Sequence, residues 1–200
     1  TPTLVFWERF FRLAPRMPAR SSVFLPSTLR EREWEATRPW NQTGDEERML
    51  ARALGSMKRF VGALHAAGGR IHAGTDALTP FLVPGESLWA ELDHLADAGL
   101  GLEGAWAAAT RGAGETLGEG RGRLVAGSPA DLLLFREDPT RDLAALASLE
   151  AVIVRGRLYR RVDIDRRLRE IRRERESTFA RTIAAAFADL ESLFGGGREL

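Results

Sequence analysis

Apolar residues in the first half of the chain recur with a helical period. Between Asp45 and Gly68 they are spaced by three or four positions, which is the pattern of one buried face of an α-helix. The same spacing covers Glu86–Ala98, and an alanine-rich stretch covers Leu102–Thr110. A further helical turn is predicted near 114–117. The first helix is expected to end at Gly68, because glycine readily adopts the left-handed cap conformation.

Short apolar runs predict strands before, between and after these helices. Two of them, Leu4–Trp7 and Arg70–Thr75, are expected to be parallel neighbours, because a strand–helix–strand order needs a crossover connection. From Gly122 onward the period changes from helical to strand-like. Strands are predicted there at 123–125, 131–135, 150–154 and 157–159, and the last two form a hairpin.

Two long segments complete the pattern. Residues 12–44 carry four prolines and two tryptophans without a period, which predicts a long loop that packs over another part of the protein. Residues 163–194 predict one long helix that ends at a run of three glycines. Its Arg166–Arg175 stretch is a candidate nucleic-acid or anionic-lipid patch. Interleaved glutamates favour instead a solvated helix face with ion pairs one turn apart.

Composition excludes several functional classes. The 200 residues are 44% hydrophobic and 28% charged, as in ordinary globular proteins. The absence of cysteine excludes disulfide scaffolds, cysteine nucleophiles and thiolate metal sites. A net charge of +1 provides no field that attracts nucleic acid or membrane, and no apolar run approaches the roughly 18 residues of a membrane span. Because the chain opens at Thr1 inside a strand-like run, we expect it to be a piece of a longer protein.

Asp76 is the sharpest local chemical feature. It follows a predicted strand and precedes a loop and a helix, which is where α/β folds place catalytic groups. Gly74 just before it allows close approach of the backbone to a ligand. The alternative interpretation is that Asp76 caps the turn that follows, which aspartate does well.

The three histidines do not have the spacing of a metal site. His72 lies four residues before Asp76 and is either a second ligand or a residue packed inside the fold. His65 is expected to interact with the carboxyl end of its helix, and His94 is expected to be solvated. No nucleophilic-serine motif is present, and the glycines of 118–122 precede a strand, which favours a linker over a phosphate-binding loop.

The order of several segments resembles the amidohydrolase superfamily, in particular its imidazolonepropionase-related and prolidase-like members. Residues 66–77 are similar to the eighth strand of the family's barrel, and Pro2–Leu4 is similar to the seventh. Segments similar to the following helices, to the small β-sandwich and to its closing hairpin are Glu91–Leu100, 107–118, 122–132 and Val152–Tyr159. The resemblance covers most of residues 1–160.

The resemblance implies an α/β fold. It comprises the C-terminal part of a (β/α)8 barrel, namely the last two strands and their helices, with part of a small β-sandwich and a long C-terminal helix. The corresponding segments are 1–120 for the barrel part, 121–161 for the sandwich part and 162–200 for the helix.

The resemblance implies a metal-dependent hydrolase of C–N bonds in small amides, cyclic amides or dipeptides, with a divalent metal, expected to be zinc, in the complete protein. Asp76 would contact the metal, accept a proton from metal-bound water and pass it to the leaving nitrogen. The family's other metal ligands have no counterpart in this chain, so the chain alone is expected to be inactive. No nucleic-acid or membrane partner is expected, and homo-oligomer formation is left open. The alternative is a non-catalytic fragment or interaction module that uses the Arg-rich C-terminal helix.

Overall fold

The computed structural model describes residues 1–11, 13, 44–77 and 82–194. In chain order, the helices are α1 Leu4–Phe10, α2 Gly44–Ala66, α3 Glu86–Leu95, α4 Gly101–Ala109, α5 Arg111–Leu117 and α6 Arg161–Phe194. The strands are β1 Leu132–Phe135, β2 Leu149–Val154 and β3 Arg157–Arg160. A π-helical turn at Ala96–Leu100 joins α3 to α4, and a 3-10 helix at Leu143–Ser148 precedes β2. The predicted 12–44 loop and the glycine run after Phe194 lie outside the described residues, apart from Leu13 and Gly44.

The first apolar run is a helix, so the strand predicted at Leu4–Trp7 is wrong. Leu4 and Val5 are fully buried. The rings of Phe6 and Phe10 stack with centroids 5.3 Å apart, and those of Trp7 and Phe11 stack 5.4 Å apart. Side chains four positions apart meet on a helix, whereas four residues of a strand separate them by about 13 Å. The aromatic spacing therefore stabilises α1.

The strand predicted at Arg70–Thr75 is also absent from the described part of the chain, so the predicted parallel strand pair is wrong. A strand is defined by a hydrogen-bonded ladder to a neighbour, and here the Ala73 N–H donates instead to the carbonyl oxygen of Ala108 in α4, at 3.1 Å. Thr1 nevertheless lies beside this segment, because a Cβ placed on Gly74 would fall 2.4 Å from Thr1 Cγ2. These elements alone do not show the barrel part of the predicted fold.

The core forms where α2, α3, the π-helical turn and α4 meet, which confirms the predicted helical organisation of this region. Its buried members are Leu4, Val61, Leu92, Leu95, Ala98, Leu100, Ala105, Ala108, Leu143 and Leu146. The apolar stripe of α2 is only partly covered. Val61 is buried, but Met49 and Phe60 are 60% and 68% exposed. The part of α2 nearest the π-helical turn therefore anchors the helix.

The contact between α2 and that turn depends on Gly62. A Cβ at this position would lie 2.0 Å from the carbonyl oxygen of Ala98. We expect Gly62→Ala to force the two elements apart and to lower the free energy of unfolding by about 1–3 kcal/mol. Gly55→Ala on the same helix meets only Arg59 Nη1, at 3.6 Å, and should raise that free energy by about 0.5–1 kcal/mol. Urea denaturation measures both changes, and a stabilising effect of Gly62→Ala would contradict the close packing.

The three strands form one antiparallel sheet in the order β1-β2-β3. The predicted hairpin is confirmed, with Arg155 and Gly156 both at positive φ, 49° and 77°. This is the conformation of the two-residue turns that match the twist of paired strands. The strand predicted at 123–125 is wrong. Leu124 is 85% exposed and Val125 is 61% exposed, and the described residues provide no strand that pairs with them.

The long C-terminal helix is confirmed as α6. Its charged residues pair within the helix: Arg161 with Asp165 at 2.8 Å, Arg166 with Asp163 at 2.5 Å and Arg167 with Glu170 at 3.1 Å. These pairs support the interpretation of a solvated helix face. Among the described helices, none combines the length and apolar character that crossing a bilayer requires.

Candidate active site around Asp76

Asp76 is exposed and stands at the end of the segment that runs beside α4. Its backbone has a φ of +54°, in the left-handed region. Residues other than glycine seldom adopt this region, although aspartate and asparagine do so more readily than most. Sparsely populated backbone conformations cluster at functional sites and in turns. The structure thus places the predicted catalytic residue at an accessible bend, and both the catalytic and the turn-capping interpretations agree with this position.

Thr1 lies against Gly74, two residues before Asp76. The near-contact between Gly74 and Thr1 leaves no room for a side chain at position 74. Glycine is therefore needed here for the close approach of Thr1. The approach of a ligand to Gly74, expected from the sequence, stays a prediction. Pro2 and Thr3 connect Thr1 to α1, so the placement of α1 bears on what packs against Gly74.

His72 fastens the same segment to α5. Its Nε2 lies 3.2 Å from the carbonyl oxygen of Gly112 and 3.0 Å from Thr116 Oγ1. These contacts support the interpretation of a packed histidine. His65 is exposed in the last turn of α2, and its expected interaction with the carboxyl end of that helix stays a prediction. Across the ranges that the structure describes, no three His, Asp or Glu side chains lie close enough together to hold a metal ion. Asp76 is thus a single candidate ligand.

A buried polar cluster between α1 and α3 was not predicted from the sequence. Arg9 is 1% exposed, and its Nη1 donates to Ser87 Oγ at 2.7 Å and to Glu86 Oε2 at 3.1 Å. Its Nη2 donates to Glu86 Oε1 at 3.3 Å, so the guanidinium and the carboxylate form a two-point contact. Such forked pairs fix orientation as well as distance. The pair therefore sets how α1 lies on α3.

Glu91 is the most buried carboxyl group of this cluster. It is 0% exposed, and its Oε2 accepts the Val5 N–H at 2.8 Å. Burial raises the pKa of Glu91 to about 7, even though hydrogen bonds from the backbone of Val5 and Leu4 act in the opposite direction. The sequence contains a signal for this role, because Glu91 stands at an apolar-face position between Leu88 and Leu95.

His94 is 8% exposed, so the prediction that it is solvated is wrong. Its Nε2 lies 3.3 Å from Glu8 Oε2. Burial by itself would raise the pKa of Glu8. The contact with His94 and its charge, together with the charges of Arg9 and Lys58, outweigh that effect and lower the pKa of Glu8 below its usual value. His94 thus provides a third link between α1 and α3.

No family model and no curated protein matches the sequence. Comparison with solved structures does find neighbours. Bottromycin amidohydrolase matches with a TM-score of 0.68 and 30% identity over 85% of this chain and 39% of its own. A prolidase-like protein from Bifidobacterium longum matches with a TM-score of 0.55 and 28% identity, over 85% of this chain and 38% of its own. The chain has an amidohydrolase-like fold.

A third neighbour, A. niger ochratoxinase, has a TM-score of 0.50 and 22% identity, over 70% of this chain and 31% of its own, and supports the fold alone. The chain spans less than two fifths of the length of each of these structures. The first two neighbours are an amidohydrolase and a prolidase-like protein, and this agrees with the resemblance seen in the sequence. The segment boundaries at 120 and 161 stay predictions.

Proposed function

We propose that this chain is part of a hydrolase that cleaves C–N bonds in small amides or dipeptides, with the Asp76 carboxylate as its proton-transferring group. The observation that carries the proposal is the amidohydrolase-like fold, shared at 28–30% identity with an amidohydrolase and a prolidase-like protein. The exposed, left-handed position of Asp76 adds to it.

The proposed chemistry uses a carboxylate twice. As water attacks the carbonyl carbon of the substrate, Asp76 takes one of its protons while the new C–O bond forms. When the tetrahedral intermediate collapses, the C–N bond breaks and Asp76 gives that proton to the leaving nitrogen. The products are a carboxylic acid and an amine, and the Asp76 carboxylate is regenerated.

A divalent metal, zinc, belongs to the proposal only through the family resemblance. Catalytic zinc sites have three protein ligands, and the described residues do not fit this requirement by themselves, since they hold no cluster of that size. We propose that the intact protein supplies the remaining ligands from residues outside the described ranges. The interaction-module alternative gains no support from α6, because Arg161, Arg166 and Arg167 already pair with neighbouring carboxylates.

The test is a hydrolysis assay with the intact protein and, separately, with the 200-residue chain. N-acyl amino acids, X-Pro dipeptides and cyclic amides serve as substrates, mass spectrometry detects the released amine, and elemental analysis measures bound metal. We expect turnover of at least one class, with bound metal, by the intact protein and none by the chain alone. An intact protein that binds no metal and cleaves none of these bonds would contradict the proposal. Activity of the 200-residue chain alone would contradict the proposal that the remaining metal ligands come from other parts of the intact protein.

A further inference from the structure

The start of α1 has no capping group of its own. Thr3, the residue before the helix, has a φ of 51° and its side chain makes no capping hydrogen bond. The first backbone N–H groups of a helix need partners, and a buried N–H left unpaired is costly. Glu91 supplies the missing acceptor from a different helix, through its 2.8 Å contact with Val5 and a backbone hydrogen bond from Leu4. A carboxyl group from α3 thus caps α1.

The same short stretch reaches the candidate active site. Leu4 and Val5, which Glu91 holds, are fully buried, and only Pro2 and Thr3 separate them from Thr1. Thr1 in turn lies against Gly74, two residues before Asp76. A continuous path of contacts therefore runs from a buried carboxyl group on α3 to the backbone that carries Asp76.

We propose that Glu91 is a positioning residue of the candidate active site. Its carboxyl group holds the start of α1, and Thr1, just before α1, packs on Gly74 in the segment that carries Asp76, in addition to the links of that segment to α4 and α5. The proposal rests on the proposed function, because positioning is defined relative to the reaction at Asp76. The Arg9–Glu86 and His94–Glu8 contacts hold the rest of α1 against α3, which leaves Glu91 as the group that acts on the end of α1 nearest the site.

The test compares two variants of Glu91 in the intact protein. Glu91→Leu removes the acceptor at similar volume, and Glu91→Gln keeps an acceptor oxygen. We expect Glu91→Leu to speed amide hydrogen exchange of residues 4 and 5 by about 10- to 100-fold and to lower kcat by about 10-fold with little change in KM. Glu91→Gln should recover most of the protection and most of kcat. Glu47→Gln, on the exposed side of α2, is the matched control and should change neither.

A pH series gives a second readout, which does not depend on the leucine variant being folded. With the pKa of Glu91 raised from 4.5 to about 7, the folded state keeps a proton that the unfolded state releases. The stability due to this group is fully present below pH 4.5 and is lost as the pH rises through about 7. The protection of the amides of residues 4 and 5 against hydrogen exchange, corrected for the intrinsic exchange rate, should therefore fall between pH 5 and 8. In Glu91→Gln this protection should not change with pH.

Within the described residues, the charged side chain that acts on Glu91 is His94, which itself contacts Glu8. Repeating the series in His94→Gln therefore shows how much of the pH dependence belongs to Glu91. Unchanged exchange in Glu91→Leu would overturn the proposal. Faster exchange in Glu91→Leu with an unchanged kcat would also overturn the positioning role of Glu91. If Asp76→Asn is inactive in the same assay, the proposed function would still stand. If Asp76→Asn also keeps full turnover, both proposals fail.

Discussion

Asp76→Asn is expected to leave the intact protein folded and to lower its turnover by about 10²- to 10⁴-fold, the usual contribution of a general acid–base group. Asparagine has nearly the same shape as aspartate and tolerates the left-handed backbone that position 76 requires. It cannot accept a proton from water. The loss should therefore appear in kcat, while the melting curve stays close to that of the unchanged protein.

Asp97→Asn is the matched control. Asp97 is an exposed carboxylate whose Oδ2 lies 3.4 Å from Lys58 Nζ, and its loss should leave turnover within about 2-fold because exposed ion pairs contribute little. If Asp76 only caps the following turn, asparagine caps it about as well and hydrolysis is retained. Unchanged turnover in Asp76→Asn would therefore refute the catalytic assignment, whatever the fold resembles.

Arg9→Met is expected to have the largest effect on stability, lowering the free energy of unfolding by about 3–5 kcal/mol. The substitution preserves much of the apolar stem but leaves the carboxylate of Glu86 and the hydroxyl of Ser87 without the guanidinium. The Arg9 and Glu86 side chains are only 1% and 11% exposed, so water can solvate the remaining charge only in part. Urea denaturation monitored by tryptophan fluorescence measures the change.

Arg48→Met provides the comparison, because its partner Asp45 is 89% exposed. We expect that substitution to change stability by less than about 0.5 kcal/mol. The double variant Arg9→Met/Glu86→Gln removes both charges and should be more stable than Arg9→Met alone. Equal destabilisation by Arg9→Met and Arg48→Met would show that the Arg9–Glu86 contact contributes no more than a surface ion pair.

The amidohydrolase-like fold of the chain could be predicted from the order of its segments, and Asp76 could be named as a candidate from its place two residues after Gly74. The contacts that place α1 against α3 could not be predicted. Val5 and Glu91 are 86 positions apart, and Arg9 and Glu86 are 77 apart. Neither α1 nor α3 by itself indicates such a partner. A glutamate at an apolar-face position of α3 indicates a buried carboxyl group, but it does not indicate which N–H group donates a hydrogen bond to it.

By itself, the sequence determined α2, α3, α4, α6 and the β2–β3 hairpin. These elements satisfy their backbone hydrogen bonds internally or with the adjacent strand, so a local period of apolar residues is sufficient. Only the tertiary structure decided that Leu4–Phe10 is a helix and that residues 70–75 and 123–125 are not strands. A short apolar run has no period long enough to choose between helix and strand, and a strand needs a partner from elsewhere in the chain. The burial of Arg9, Glu91 and His94 was decided in the same way, because a polar group is stable in a core only when distant residues supply its partners.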